Sequence, residues 1–133
     1  MNYRFRFDAH RKISEVLLRL GLAGTYIFSG YDLFMHPRSW TQFVPYWFSQ
    51  LLTLLMPLDL FIRMQGIGEL ILALLFLAWF LPRSFVKMAA LISSLEFAGI
   101  LLFFGIDLIT FRDIGLLGAS LALFFFIPAN KNQ

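Results

Sequence analysis

Charged residues that a bilayer tolerates poorly interrupt otherwise apolar runs at Arg19, Glu69 and Glu96, and the pair Arg112 and Asp113 opens the last such run. A central Asp, Lys or Arg costs roughly 2.5 to 3.5 kcal/mol on insertion scales, so such groups face a bundle interior, a wet cavity or one another. Glu69 sits in "MQGIGELILALLFLAW" one turn after Gln65, and Tyr26 is a further polar side chain within reach of the same interior. The chemistry open to this set is a hydrogen-bond lock, the handling of protons, or the holding of a ligand headgroup.

Other chemistry is excluded by what the chain does not carry. It has no cysteine, which removes disulfides, thiolate metal sites, iron–sulfur ligation and thiol redox chemistry. Its two histidines, His10 and His36, lie before and after the first apolar run and so on opposite sides of a bilayer. They cannot jointly ligate an intramembrane haem, and no metal site is expected. No cofactor is bound by the chain's own ligands, which leaves a quinone or a lipid as the small molecules it could hold. The formal net charge of +3 is accounted for by orientation and anionic headgroups, and no nucleic-acid partner is expected.

The elements that must position these residues are long helices. The chain has 133 residues, 59% of them hydrophobic and 14% charged, with a mean hydropathy of +0.76, which is too apolar for an ordinary soluble domain. Spanning a hydrocarbon core of about 30 Å takes roughly 20 apolar residues. Four runs answer to this, at about Ile13 to Phe34, Phe61 to Leu81, Phe85 to Phe104 and Asp113 to Ile127. The first follows a basic start as a secretory signal would, but runs long, and is expected to be retained. The expectation is an all-α fold: one transmembrane domain over residues 1–133, an integral membrane four-helix bundle.

Arg4, Arg6, Arg11 and Lys12 precede the first span, Arg83 and Lys87 lie between the second and third, and Lys131 follows the fourth. On the other side Arg38, Arg63 and Arg112 are offset by Asp32, Asp59, Asp107 and Asp113. The positive-inside rule then puts both termini in the cytoplasm of a multi-pass protein. The longest joint, His36 to Leu60, is dense in aromatic residues, with Pro45 and Pro57 bracketing a run too short to span. An interfacial helix over about 45–56 is expected there, on the outer face, with Trp40, Tyr46 and Trp47 as anchors at headgroup level. An aromatic belt and a dedicated ligand or partner surface both remain open for this joint.

Helical spacing gives each span one small or polar stripe: Glu15, Arg19, Ala23, Tyr26 and Gly30; Gln65, Gly66, Glu69 and Ala73; Ala89, Ser93, Glu96 and Gly99; Gly115, Gly118, Ala119 and Ala122. Counting residues from the span starts, Arg19 lies about 9 Å and Glu96 about 16 Å in from the cytoplasmic edge, and Glu69 about 12 Å in from the outer edge. Side chains lean toward their own helix N-terminus, so Arg19 is expected to pair with Glu96 and Glu15. Glu69 is left to Gln65, Tyr26, a water or an outer-rim arginine. Arg112, Asp113, Asp32 and Arg63 are the outer-face polar and ligand candidates.

The segments "LLRLGLAGTYIFSGYDLFMHPRSW", "GIGELILALLFLAWFLPR" and "FRDIGLLGASLALF" together resemble the DoxX family of small four-span bacterial and archaeal membrane proteins. The resemblance runs from about Ile13 to Ile127 and implies that the family's recurrent polar positions fall on Arg19, Glu69, Arg112 and Asp113. Asp32 and Leu33 depart from it, standing at or near a position where relatives often carry lysine. It implies the cytoplasmic (inner) membrane and association with respiratory, sulfur-oxidising or other redox-linked membrane complexes, including thiosulfate-to-quinone electron transfer.

Three functional readings follow. The first is an accessory or scaffolding subunit of such an energy-converting complex, with membrane lipids and other integral membrane subunits, or further copies of itself, as partners. The second is a lipid- or quinone-binding membrane protein whose ligand sits near Arg112, Asp113, Glu69 and the aromatic joint. A stand-alone quinone-linked oxidoreductase or proton transporter ranks last, because the chain brings no redox ligands and shows no repeat or broken helix of a transporter. Catalytic activity of the chain on its own is not expected.

Overall fold

The computed structural model describes residues 3–128, with side chains from His10 onward. Lys131 and the side chains of Arg4 and Arg6, expected on the terminal side, lie outside the described residues. Among the described residues the chain is all-helical: α1 (Tyr3–Met35), α2 (Pro37–Trp40), a 3-10 turn (Thr41–Phe43), α3 (Tyr46–Thr53), α4 (Leu58–Leu77), α5 (Arg83–Phe104) and α6 (Phe111–Phe126). By length and composition two of these, α4 and α5, are long and apolar enough to cross a membrane, each with a mean hydropathy of 1.8.

Proline sets where the helices begin. Pro37 opens α2, and Pro45, Pro57 and Pro82 stand immediately before α3, α4 and α5. The residue before a proline is pushed out of helical geometry, while the ring's fixed φ suits a helix start. At the other end of α5, Gly105 takes a φ of 76°, which L side chains resist, and turns the chain toward α6. Several boundaries differ from the expected spans, α4 among them, which runs Leu58–Leu77 rather than Phe61 to Leu81. The first helix begins at Tyr3 rather than Ile13, because the polar start RFRFDAHRKIS contains no proline or glycine to stop it. The joint holds α2 and the 3-10 turn ahead of α3, which is confined to Tyr46–Thr53.

Two antiparallel pairs make up the bundle: α1 runs along α4, and α5 along α6. The pairs meet where α1 touches α6 and α4 touches α5. The proximal end carries the start of α1, the α4–α5 turn and the end of α6, while the distal end carries residues 36–57 and the α5–α6 loop. Between the pairs lies a core of Leu22, Ala23, Tyr26, Ala73, Phe76, Val86, Ala89, Ala90, Leu123 and Ile127, each buried to within 1% of its surface. The Tyr26 ring stacks between Phe76 at 6.2 Å and Phe97 at 5.6 Å, joining α1, α4 and α5. α1 and α4 approach closest at Gly30 and Gly66, which face one another with no side chain between.

All five stripe residues of α1 are buried, as are Gly66, Glu69 and Ala73 of α4 and Ala89 and Ser93 of α5. Gln65 is exposed, and Glu96 and Gly99 are half-buried. The fourth stripe is corrected: Gly115, Gly118 and Ala122 are exposed and Ala119 half-buried, while Asp113, Ser120 and Leu123 face inward. A Cβ added at Gly115 or Gly118 would meet nothing within 4 Å. The contact with α5 is made instead through Ser120, whose hydroxyl meets that of Ser94, with Leu123 fully buried one turn on.

Candidate functional site

Arg19 and Glu96 do not meet, which corrects the expected pair. Arg19 donates from Nε to the Phe76 carbonyl at 2.7 Å and from a terminal nitrogen to that of Ala78 at 3.1 Å, and its guanidinium lies 3.8 Å from the centre of the Trp79 ring. Its carboxylate partner is Glu15, 3.5 Å away one turn earlier, which also receives Arg83 at 3.3 Å. The physical cause is the end of α4. The last carbonyls of a helix lack partners within it and carry partial negative charge, so a guanidinium beside them is satisfied without a distant carboxylate. Arg63 does the same at the distal end, donating to the Phe34 carbonyl at 2.5 Å in the last turn of α1. Each helix of this pair thus supplies the arginine that closes the other.

The glutamates belong to a separate, distal cluster. Glu96 accepts from the Tyr26 hydroxyl at 2.8 Å and from the Gln65 amide at 2.6 Å, so Tyr26 and Gln65 are partners of Glu96 rather than of Glu69. Glu69 accepts from the Ser29 hydroxyl through one oxygen. Ser29 had no place among the sequence candidates. Its signal was present, because it stands one turn after Tyr26 on the same helix face, beside Gly30.

Above these groups lies a cavity of about 720 Å³ whose floor is Tyr26, Phe97, Glu69 and Glu96. Trp40, Phe43, Trp47, Phe48, Phe61 and Phe103 wall it, and Arg112, Asp113 and the α5–α6 loop complete the rim. Four of these rings form a run, Phe103 meeting Trp47 at 6.0 Å, Trp47 meeting Phe48 at 5.5 Å and Phe48 meeting Phe61 at 5.7 Å between ring centroids, and Trp40 and Phe43 make a separate pair at 5.7 Å. No lining residue comes from the proximal core, where Phe76, Val86, Ala89 and Leu123 are fully buried.

The remaining sequence candidates divide. Arg112 and Asp113 line the cavity and pair with each other at 3.7 Å. Asp32 and Arg63 do not line it. Asp32 accepts from the Trp40 indole at 2.8 Å and lies 3.0 Å from His36 Nδ1, which fastens the joint to the end of α1. Of the expected anchors, Tyr46 is 77% exposed, whereas Trp40 and Trp47 take part in the cavity wall. In the α5–α6 loop, Asp107 accepts from the backbone N–H groups of Ile109 at 2.7 Å and Thr110 at 2.8 Å. Those donors hold its carboxyl below the usual aspartate range, Thr110 contributing most. Among the described residues, no group of three or more His, Asp or Glu is placed to hold a metal ion.

Compared with protein-family models, with curated proteins and with solved structures, the chain finds no match.

Proposed function

We propose that the chain is a multi-pass membrane protein, a four-span bundle of the DoxX type, that holds a small amphipathic molecule in its distal cavity. The observation that carries this is the cavity itself. Ligand sites are concave, mostly apolar and about 300 to 1,000 Å³, with a few polar groups that fix orientation. At about 720 Å³, with aromatic walls and two carboxyl groups at its floor, the cavity fits that description. Its ligand class is a lipid or quinone headgroup whose apolar tail lies along the bundle.

The membrane reading rests on the apolar helices α4 and α5 and on the surface between the joints, where Leu74 and Leu95 are each 66% and Phe125 78% exposed. Such a surface is stable in hydrocarbon and costly in water. The excess of basic residues toward the proximal end supports an orientation with that end and both termini in the cytoplasm of a bacterial or archaeal cell and the cavity toward the outer side. Because the chain has no cysteine, single cysteines can be read without background. Placed at Leu74 or Phe125 they should take up lipid-phase labels, and placed at Ser93 or Ala89, in the closed core, they should resist. The ligand is tested by native purification in a mild detergent followed by mass spectrometry of the extract. One enriched lipid or quinone species is expected, and an extract matching bulk membrane composition counts against the reading.

A second reading, an accessory subunit of a larger redox-linked membrane complex, draws on the distal rim. Leu54 and Leu55 are each 81% and Leu108 92% exposed, in joints beyond the long helices, where a neighbouring subunit could cover them. Stoichiometric co-migration with larger subunits on native gels supports that reading, and a monodisperse lone protein counts against it.

A further inference from the structure

We infer that the distal cavity takes an organic cation, a substituted ammonium or similar charge carried on an apolar body. The inference rests on the reading that the cavity is a ligand site, and it names the chemistry of the charged end.

Four carboxyl groups line the cavity, those of Glu69, Glu96, Asp107 and Asp113, against the single guanidinium of Arg112. Arg112 is already paired with Asp113, and Asp107 is held by its own loop. Glu69 and Glu96 are different: among the described residues neither has a cation within ion-pair distance. Glu96 has two hydrogen-bond donors, Tyr26 and Gln65, which fix its direction. Glu69 has Ser29 on one oxygen and leaves the other without a donor among the described residues. A carboxyl pair so placed in a low-dielectric site favours a positive partner, since an uncompensated charge there is costly. Any proton that either carboxyl holds in the empty site is released to solvent when the ligand's charge takes its place.

The walls point the same way. The face of an aromatic ring carries negative potential, and cages of such rings are the common means of binding substituted ammonium groups. Rings acting only as a headgroup belt would turn outward to the interface. Here Trp40, Phe43, Phe48 and Phe61 are half-buried and line the same cavity as the two glutamates, while Trp47 and Phe103 are the more exposed rings of the wall. An anionic headgroup would meet both glutamates and find no unpaired base to offset them.

The test uses two ions of the same shape and opposite sign, tetraphenylphosphonium and tetraphenylborate, dialysed against the purified full chain in nonionic detergent, with protein-free micelles as the blank. Saturable uptake of the phosphonium is expected, with the borate weaker by at least about tenfold, and with Glu69→Gln and Glu96→Gln each weakening the phosphonium about tenfold. Equal saturable uptake of both ions, or phosphonium binding that survives both replacements, overturns the inference. The comparison of ions on the unmodified chain stands even where a variant does not fold. Decylubiquinone in the same dialysis separates the two levels. If the quinone binds saturably and the phosphonium does not, the ligand site stands and the cation is removed; if none of the three binds, both readings fall. Displacement of bound phosphonium by dodecylphosphocholine assigns the cation to a choline-type headgroup, and displacement by dodecyltrimethylammonium but not by dodecylphosphocholine assigns it to a free lipophilic cation.

Discussion

Gly30 and Gly66 hold α1 and α4 in backbone contact: a Cβ on Gly30 would stand 2.8 Å from the Gly66 carbonyl oxygen, and one on Gly66 would stand 2.7 Å from that of Gly30. Both obstacles are backbone, so no rotamer change relieves them. The contact also sets where Glu69 lies, since its Cβ would be 3.1 Å from the same added atom. The spacing of two helices and the position of a cavity carboxyl are therefore one geometric fact.

Gly30→Ala and Gly66→Ala should each destabilise the bundle by about 1 to 3 kcal/mol, the usual cost of overpacking. Gly68→Ala, on the same helix with nothing within 4 Å of its added Cβ, should instead gain up to about 1 kcal/mol from helix propensity. Titration with a denaturing detergent in mixed micelles, followed by circular dichroism, reads the difference. Equal effects at positions 66 and 68 would remove the close approach from the account.

Arg19→Leu should cost about 1.5 to 3 kcal/mol, the range for hydrogen bonds that involve a charged group, because it strands the Phe76 carbonyl in a buried setting. Arg19→Lys keeps the charge but loses the planar fork that reaches two carbonyls and the Trp79 face at once, so it should recover only part of the loss. Thermal unfolding followed by tryptophan fluorescence separates the three proteins. Full recovery by lysine would mean that charge alone matters.

Asp107 gives the distal loop an acid limit. Its carboxyl is held below the ordinary range in the folded chain, so the unfolded chain binds the proton more readily. The stabilisation is complete above the unfolded value of about 4 and is lost as pH falls through the lower folded value. Hydrogen exchange at the Ile109 and Thr110 amides should accelerate below that range in the unmodified protein. In Asp107→Asn the pH step should vanish, and a step of the same size there would rule Asp107 out as its source.

Ser94 and Ser120 link α5 to α6 through a hydroxyl pair at 3.0 Å, both buried. A double-mutant cycle with alanine at each should return a coupling of about 0.6 kcal/mol, the average for such bonds between membrane helices. The pair would be energetically silent if the cycle closed at zero.

The sequence made the buried faces of the first three long helices legible because small residues repeat there at helical spacing against Leu and Phe elsewhere. The inward stripe from Glu15 to Gly30 could be read without coordinates. Two things could not. Arg19 was matched to Glu96 because side-chain carboxylates are visible in a sequence, whereas the open carbonyls at the end of α4 belong to the backbone and depend on where that helix stops. The face of α6 was misassigned because glycine and alanine at helical spacing mark a possible packing face without showing that a partner occupies it: Gly115 and Gly118 have nothing within 4 Å of an added Cβ, while Asp113, Ser120 and Leu123 face inward. The cavity was legible in part: Arg112, Asp113, Glu69 and the aromatic joint, grouped from the sequence as a ligand position, do line one cavity, whereas its shape depends on how residues 36–57 fold back over the α1–α4 and α5–α6 pairs, and the aromatic spacing is compatible with rings facing either way.

The fully buried layer of Phe76, Val86, Ala89 and Leu123 beneath the floor closes the cavity on its proximal side. A molecule held there would find no route through that core, so passage from one end of the bundle to the other would require the core itself to open.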